Sequence, residues 1–165
     1  MFRYQILEAR SHGADTVLLI VAVLGVNQLA DLIQFSRAMG MEPLVEVHTQ
    51  QEMEIALRCQ ATVIGVNNRN LHTFQLDLET TEKALEVAKS RGVDWVYKPD
   101  ATKPAQYPAI TVVSLSGVTS AQDVQVFRKL GVSGVLVGKL INAVLSLPLL
   151  LTYLLCYRRD ADEVP

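Results

Sequence analysis

The stretch Ile64-Gly-Val-Asn-Asn-Arg-Asn-Leu71 changes abruptly from apolar to polar residues. Residues 61–66 read Ala-Thr-Val-Ile-Gly-Val, which is typical of a strand buried on both faces of a parallel sheet. Three asparagines and one arginine follow at once, at positions 67–70. The stretch therefore predicts a parallel strand that delivers amide and guanidinium groups to a site at its C-terminal end.

An earlier strand ends in the same way. Residues 43–48 read Pro-Leu-Val-Glu-Val-His, with the charged Glu46 on the same side of the strand as Leu44 and His48. An unpaired carboxylate is costly to bury, so Glu46 either pairs with a neighbouring cation or accepts a proton at an active site. Two successive strands with polar C-terminal ends suggest a parallel α/β barrel with its site on that face.

Asn67 and Arg69 allow the same two interpretations. Asparagine and arginine in a tight turn are often only turn and cap residues. Arginine is also the natural partner of a substrate carboxylate, because its planar fork of N–H groups matches two oxygens.

Helical and strand patterns alternate along the chain. Strands are predicted at residues 16–21, 43–48, 62–67, 109–115 and 134–137. Helices are predicted at residues 4–11, 27–39, 49–59, 78–91 and 120–130, the third opened by a capping box, Thr49-Gln-Gln-Glu52. Parallel strands joined by single helices form right-handed crossovers. The predicted fold class is α/β, a partial (βα)8 TIM barrel of about five parallel strands with helices on the outer face.

The last two predicted strands end in small residues. Ser116-Gly117 follow one strand, and Gly138-Lys139 follow the next. Small residues let backbone N–H groups approach an anion, and barrels of this type bind phosphate after their last two strands. The glycines could instead serve only the turns.

Composition narrows the classes of function. Hydrophobic residues make up 50% of the 165 residues and charged residues 19%, which favours a packed core over disorder. A net charge of −2 without a basic run gives no reason to expect nucleic acid. Two isolated cysteines and an N-terminus unlike a signal peptide predict a reducing, cytoplasmic setting. Dinucleotide, P-loop and zinc-protease motifs are absent, so neither cofactor nor metal is expected.

Residues 142–165 are predicted to form a separate apolar tail. Residues 140–157 carry no charge and precede two arginines, close to the lower length limit of a membrane span. Four residues argue against that span and favour a helix extended by an apolar tail: Asn142, Ser146, Pro148 and Thr152.

Together these stretches resemble indole-3-glycerol phosphate synthase, the (βα)8 enzyme of tryptophan biosynthesis. Leu44-Val-Glu-Val-His48 and Asn67-Asn-Arg-Asn-Leu71 are the most specific matches. Further matches run in the family's order at Tyr4–Arg10, Gly13–Val21, Gly40–Pro43, Asp77–Thr81, Leu115–Val118 and Gly134–Gly138. Residues 1–141 are accordingly expected to form the partial barrel domain.

The resemblance implies a reaction, a substrate and a set of site residues. Ring closure, decarboxylation and dehydration would convert 1-(2-carboxyphenylamino)-1-deoxyribulose 5-phosphate to indole-3-glycerol phosphate without a cofactor. Glu46 would be a catalytic carboxylate, and Asn67 would orient the reacting groups. The implied substrate-binding positions are Arg69 at the carboxylate, Leu71 at the aromatic ring, and Ser116, Gly117 and Gly138 at the phosphate, where Lys139 would add a cation.

The chain departs from the family pattern in three ways. No part of it resembles the family's first three strands, which carry a lysine general acid, so the chain alone is expected to be inactive. Leu115 stands where many members carry glutamate, and Lys139 where serine or glutamate is usual. The chain after Ile141 does not resemble the family's last helix.

The expected partners are a small sugar-phosphate substrate, fused or associated domains of the tryptophan pathway, and further copies of the chain at the unpaired sheet edges expected at residues 16–21 and 134–137. Two alternative functions remain. One is another phosphate-binding barrel such as phosphoribosylanthranilate isomerase, which the Asn67–Leu71 segment argues against. The other is a non-catalytic barrel remnant that acts as an interaction module.

Overall fold

The computed structural model describes residues 1–70, 73–95, 109–137 and 153–156. Five parallel strands form one sheet in chain order, which confirms the predicted α/β class and strand number. The strands are β1 Leu18–Ile20, β2 Leu44–Val47, β3 Val63–Asn67, β4 Thr111–Leu115 and β5 Gly134–Val137.

Five α-helices connect these strands or precede them. They are α1 Arg3–Ser11, α2 Val26–Ala38, α3 Gln50–Arg58, α4 Glu79–Ser90 and α5 Ala121–Lys129. Their bounds agree with the predicted helices to within two residues. The first predicted strand is too long, because a 3₁₀ turn at Val21–Val23 takes over directly after Ile20.

Alternate residues of each strand face the helices or the opposite, inner side of the sheet. Val45 and Val47 are fully buried on the helix side, together with Ile64 and Val66 of the neighbouring strand. Glu46 therefore faces inward, and the β2–β3 register sets it directly beside Gly65. The core lies between the sheet and its helices, where Phe127 is completely buried.

An ion pair ties α2 to the N-terminal ends of two strands. The Arg37 guanidinium donates to both carboxylate oxygens of Glu42, at 2.7 and 2.9 Å. The Thr62 hydroxyl donates to the same carboxylate at 2.5 Å. Hydrogen bonding from Arg37 is the main cause that lowers the pKa of Glu42; partial burial opposes it, and Thr62 adds to the lowering. This cluster lies opposite the predicted site, on the face of such barrels that serves stability.

The two edges of the sheet differ. Strand β6, Tyr153–Cys156, pairs antiparallel with β5, so the prediction of an unpaired edge at residues 134–137 is wrong. Strand β1 pairs only with β2 among the described residues, and Leu18 on its inner face is 44% exposed. Of the described helices, none combines the length and apolarity needed to cross a membrane.

Candidate active site

Polar residues of three neighbouring strands meet at one edge of the sheet. Glu46 is the penultimate residue of β2, Asn67 is the last residue of β3, and Ser116 directly follows β4. Because the strands are parallel, their C-terminal ends lie at the same edge. The edge predicted from the sequence is thus the one that collects these residues.

Glu46 and Asn67 are hydrogen-bonded to each other. The Asn67 Nδ2 donates to Glu46 Oε1 at 2.9 Å, and both side chains are less than 9% exposed. The backbone N–H of Arg69 donates to Asn67 Oδ1 at 3.0 Å, which fixes the amide with its NH₂ toward the carboxylate. The sequence predicted both residues, and the fold holds them in one geometry.

His48, which directly follows β2, stabilises the same edge of the sheet. Its Nδ1 lies 2.7 Å from the Asn67 carbonyl oxygen, which can only accept, so Nδ1 carries the proton. The predicted capping box of α3 is only half formed. Thr49 Oγ1 accepts from the Glu52 N–H at 3.1 Å, but the Glu52 carboxylate accepts from the His48 N–H at 2.8 Å.

A cavity of about 180 Å³ opens beside Glu46 at this edge. It combines apolar walls with carboxylate, imidazole, hydroxyl and amide groups from the strand ends. Its lining residues are Ile20, Ala22, Glu46, Val47, His48, Thr49, Glu52 and Asn70. Among the described residues no cluster of three or more His, Cys, Asp or Glu side chains is placed to hold a metal ion.

Arg69 lies at the surface beyond the pair. Its guanidinium donates to the Phe74 carbonyl oxygen at 3.1 Å, and its backbone forms an antiparallel bridge with Leu76. In the described part of the chain, the guanidinium makes no hydrogen bond or ion pair with Glu46. Leu71, predicted to contact the substrate ring, lies outside the described residues.

The turn after β4 adopts an uncommon backbone conformation. Ser116 has φ +64° and Gly117 has φ +82°, both in the left-handed region. The left-handed dihedral favours glycine, and a Cβ on Gly117 would also displace two leucine side chains, because it would lie 2.7 Å from Leu76 Cδ1 and 2.8 Å from Leu78 Cδ2. Gly138 and Lys139, the other predicted phosphate positions, lie outside the described residues.

Asn68 is a residue that sequence reasoning missed. It is completely buried, and its Nδ2 lies within hydrogen-bond distance of Ser114 Oγ, the Leu115 oxygen and the Ser116 oxygen. Its Oδ1 accepts from the Thr81 hydroxyl at 2.9 Å. The sequence does contain one indication that Asn68 differs from Asn67. Side chains alternate along a strand, so Asn67 and Asn68 face opposite sides of the sheet.

A carboxylate occupies the N-terminus of α5, directly after this turn. Asp123 Oδ2 accepts from the N–H groups of Thr119 and Ser120 and from the Thr119 hydroxyl, at 2.9 to 3.0 Å. These bonds, led by that from the Thr119 N–H, lower the pKa of Asp123. An anion at this edge would therefore contact the Ser116–Gly117 turn rather than the end of α5.

Residues 1–145 match the family model described as indole-3-glycerol phosphate synthase. The chain belongs to the indole-3-glycerol phosphate synthase family. It is 48% identical over 136 residues to the multifunctional tryptophan biosynthesis protein of Phanerodontia chrysosporium, covering 82% of this chain and 15% of that protein. It is 42% identical over 140 residues to the indole-3-glycerol phosphate synthase of Dehalococcoides mccartyi, covering 85% of this chain and 47% of that enzyme. The chain thus spans less than half the length of either relative.

Solved structures support the barrel-type fold. The chain is similar to a protein of the tryptophan synthase α2β2 complex from Pyrococcus furiosus, with a TM-score of 0.57 at 14% identity, over 87% of this chain and 50% of that one. It is also similar to 2,3-dimethylmalate lyase, with a TM-score of 0.51 at 12% identity, over 79% of this chain and 51% of that one. At such identities the likeness extends to the fold alone.

In this member of the indole-3-glycerol phosphate synthase family, the neighbour of Asn67 on β4 is apolar. Leu115 is the register partner of Asn67 on β4 and is only 3% exposed. A Cβ on Gly65 would lie 2.6 Å from Leu115 Cδ1, so the absent side chain at Gly65 makes room for this leucine. The pair formed by Glu46 and Asn67 is therefore bordered on its β4 side by hydrocarbon.

Proposed function

We propose that this chain supplies the Glu46 side of an indole-3-glycerol phosphate synthase active site. There 1-(2-carboxyphenylamino)-1-deoxyribulose 5-phosphate would close its ring and lose carbon dioxide and water, which makes the enzyme a carbon–carbon lyase. The observation that carries the proposal is the buried hydrogen bond from Asn67 to Glu46 at the C-terminal edge of the sheet.

The partner of Glu46 favours proton transfer over a structural ion pair. A buried carboxylate that only stabilises the fold is expected to pair with a cation. In the described part of the chain, Glu46 instead accepts from the neutral amide of Asn67. No cation among the described residues pairs with it, so Glu46 offers a carboxylate that can accept a proton from the substrate in the adjoining cavity. Asn67 holds that carboxylate and orients the reacting groups.

We assign the remaining substrate contacts to residues in the loops that follow β3, β4 and β5. Arg69 uses one N–H on Phe74, and its other guanidinium donors can reach a substrate carboxylate. Leu71 would lie against the aromatic ring. The phosphate would bind at the Ser116–Gly117 turn, and Gly138 and Lys139 would complete that subsite. A cation from Lys139 would make phosphate binding sensitive to salt.

The relatives also suggest the setting of this activity. The matched proteins of Phanerodontia chrysosporium and Schizosaccharomyces pombe are named multifunctional tryptophan biosynthesis proteins. We propose that this chain likewise works fused to, or associated with, other domains of that pathway in the cytoplasm. As an isolated polypeptide it would self-associate through the edge at β1.

A hybrid barrel tests the proposed activity. Residues 1–145 would replace the matching part of the Dehalococcoides mccartyi synthase, with the unmodified synthase as control. We expect the hybrid to form indole-3-glycerol phosphate, detected by its indole fluorescence. The isolated chain should give no measurable turnover, because the family's lysine general acid would come from the Dehalococcoides part. A folded hybrid without turnover would instead favour a non-catalytic module.

A further inference from the structure

We propose that Asn68 is a positioning residue that aims the Gly117 N–H at the substrate phosphate. The inference rests on the proposed function, because it assumes that the Ser116–Gly117 turn binds that phosphate. Asn68 itself faces the helix side of the sheet, away from Glu46, so it would act through the turn and not by contact with substrate.

The contacts of Asn68 join three parts of the fold. Its Nδ2 lies 2.8 Å from Ser114 Oγ and 3.1 Å from each of the carbonyl oxygens of Leu115 and Ser116. Its Oδ1 accepts from Thr81 on α4. Its backbone N–H donates to the Leu115 oxygen at 2.9 Å, so the pairing of β3 with β4 continues past the last strand residue.

This set of partners requires an asparagine. The NH₂ group supplies two N–H donors, which three acceptor oxygens share, and the amide oxygen accepts from Thr81, at a side-chain length that reaches all four partners. An aspartate would set a carboxylate oxygen against the carbonyl oxygens of Leu115 and Ser116. A leucine would remove the side-chain donor from the buried Ser114 hydroxyl and the half-buried Ser116 oxygen, whereas the Leu115 oxygen would keep the bond from the Asn68 backbone N–H.

The bond to the Ser116 oxygen determines where the next N–H points. A trans peptide is planar, so its C=O and N–H point in opposite directions. Because Asn68 holds the Ser116 oxygen toward the buried network, the Gly117 N–H of the same peptide points away from that network. Within the described residues, this N–H has no hydrogen-bond acceptor. It is therefore free to donate to an anion at the sheet edge.

Asn68 also stabilises a strained conformation. Ser116 at φ +64° lies in the left-handed region, which is strained for a non-glycine residue unless its surroundings hold it there. The amide of Asn68 holds the Ser116 oxygen directly. Without it, we expect Ser116 to relax and the Gly117 N–H to turn away from the anion.

Phosphate titrations of the full chain test this inference. Isothermal titration calorimetry at low ionic strength would compare inorganic phosphate binding by the native chain, Asn68→Asp and Thr81→Val. Thr81→Val removes a bond of the same network on the helix side but leaves the bond to the Ser116 oxygen. We expect Asn68→Asp to weaken binding about tenfold or more, and Thr81→Val to change it less than about twofold, although both lower the melting temperature.

Each other outcome overturns a different part of the account. If both variants bind phosphate as the native chain does, or lose affinity equally, Asn68 has only a structural role. If the native chain binds no phosphate, the assignment of the turn as a phosphate site is wrong and this inference falls with it. If Asn68→Asp does not fold, Asn68→Ser replaces it, because serine can reach its near neighbours but not the Ser116 oxygen. NMR shifts of the Ser116 and Gly117 amides should then report the changed turn, and unchanged shifts would contradict the inference.

Discussion

Glu46 and Asn67 lie 21 residues apart in the chain, yet Asn67 Nδ2 is 2.9 Å from Glu46 Oε1 in the folded protein. The parallel pairing of β2 with β3 brings them together, and the Arg69 N–H fixes which end of the amide meets the carboxylate. The orientation of the proposed catalytic carboxylate is thus built into the end of β3.

Replacement of Gly117 by alanine should damage both the fold and phosphate binding. The left-handed φ costs an alanine about 1–2 kcal/mol, and its Cβ would also meet Leu76 and Leu78. We expect a lower free energy of unfolding in urea and weaker phosphate binding by calorimetry. Gly92→Ala is the matched control, since Gly92 has φ +67° with open space around it and lies far from the site. Equal loss of phosphate affinity in both variants would remove the special role of Gly117.

The ion pair between Arg37 and Glu42 should contribute stability that depends on pH. Because the folded-state pKa of Glu42 lies below its ordinary value of 4.5, this contribution is present above that value and is lost as the pH falls through the lowered pKa. We expect Glu42→Gln to cost about 0.5–1 kcal/mol at pH 7, since solvent still reaches 33% and 38% of the Arg37 and Glu42 side chains and screens the pair. The difference from the native chain should vanish in acid.

Urea unfolding at several pH values measures this effect. Glu86→Gln serves as control, because the exposed Glu86 carboxylate makes no ion pair with the described residues. A cost for Glu42→Gln that stays constant from pH 7 down to pH 3 would show that the carboxylate charge is not its source.

The exposed edge at β1 should cause self-association of the isolated chain. Leu18 is 44% exposed on the inner face of this edge strand, and charged residues on edge strands oppose pairing with another chain. We expect sizing chromatography to give an apparent mass that rises with concentration, and Leu18→Lys to shift the protein toward monomer. Val126→Lys is the control, since Val126 is similarly exposed but lies on α5. A native chain that stays monomeric at high concentration would contradict this expectation.

The strands and helices of this chain could be predicted because their signals are local. Runs of β-branched residues mark β3 and β4, and glycines at left-handed positions end α2 and α4 at Gly40 and Gly92. The proximity of Glu46 and Asn67 followed from parallel strand order, which requires their C-terminal ends to share one edge.

The features that sequence reasoning missed depend on contacts between distant segments. Asn68 reads like its neighbour Asn67 in the sequence, and only the fold shows that Ser114 and Thr81 surround it. Strand β6 forms by pairing with β5, and no local sequence pattern in the apolar tail predicts that pairing. Glu52 fits the sequence pattern of a capping box, in which its carboxylate would accept from the Thr49 N–H. In the structure it accepts instead from the N–H of the preceding residue, His48.

A hybrid barrel that carries Glu46→Gln tests whether Glu46 transfers a proton in the synthase reaction. Steady-state formation of indole-3-glycerol phosphate would be compared with that of the parent hybrid and of Glu54→Gln. Glu54 pairs with Arg91 on the outer surface and controls for loss of a carboxylate elsewhere. We predict that Glu46→Gln lowers kcat about 10²–10⁴-fold with little change in KM, and that Glu54→Gln leaves kcat unchanged. A folded Glu46→Gln hybrid that retains the parent kcat would contradict the account.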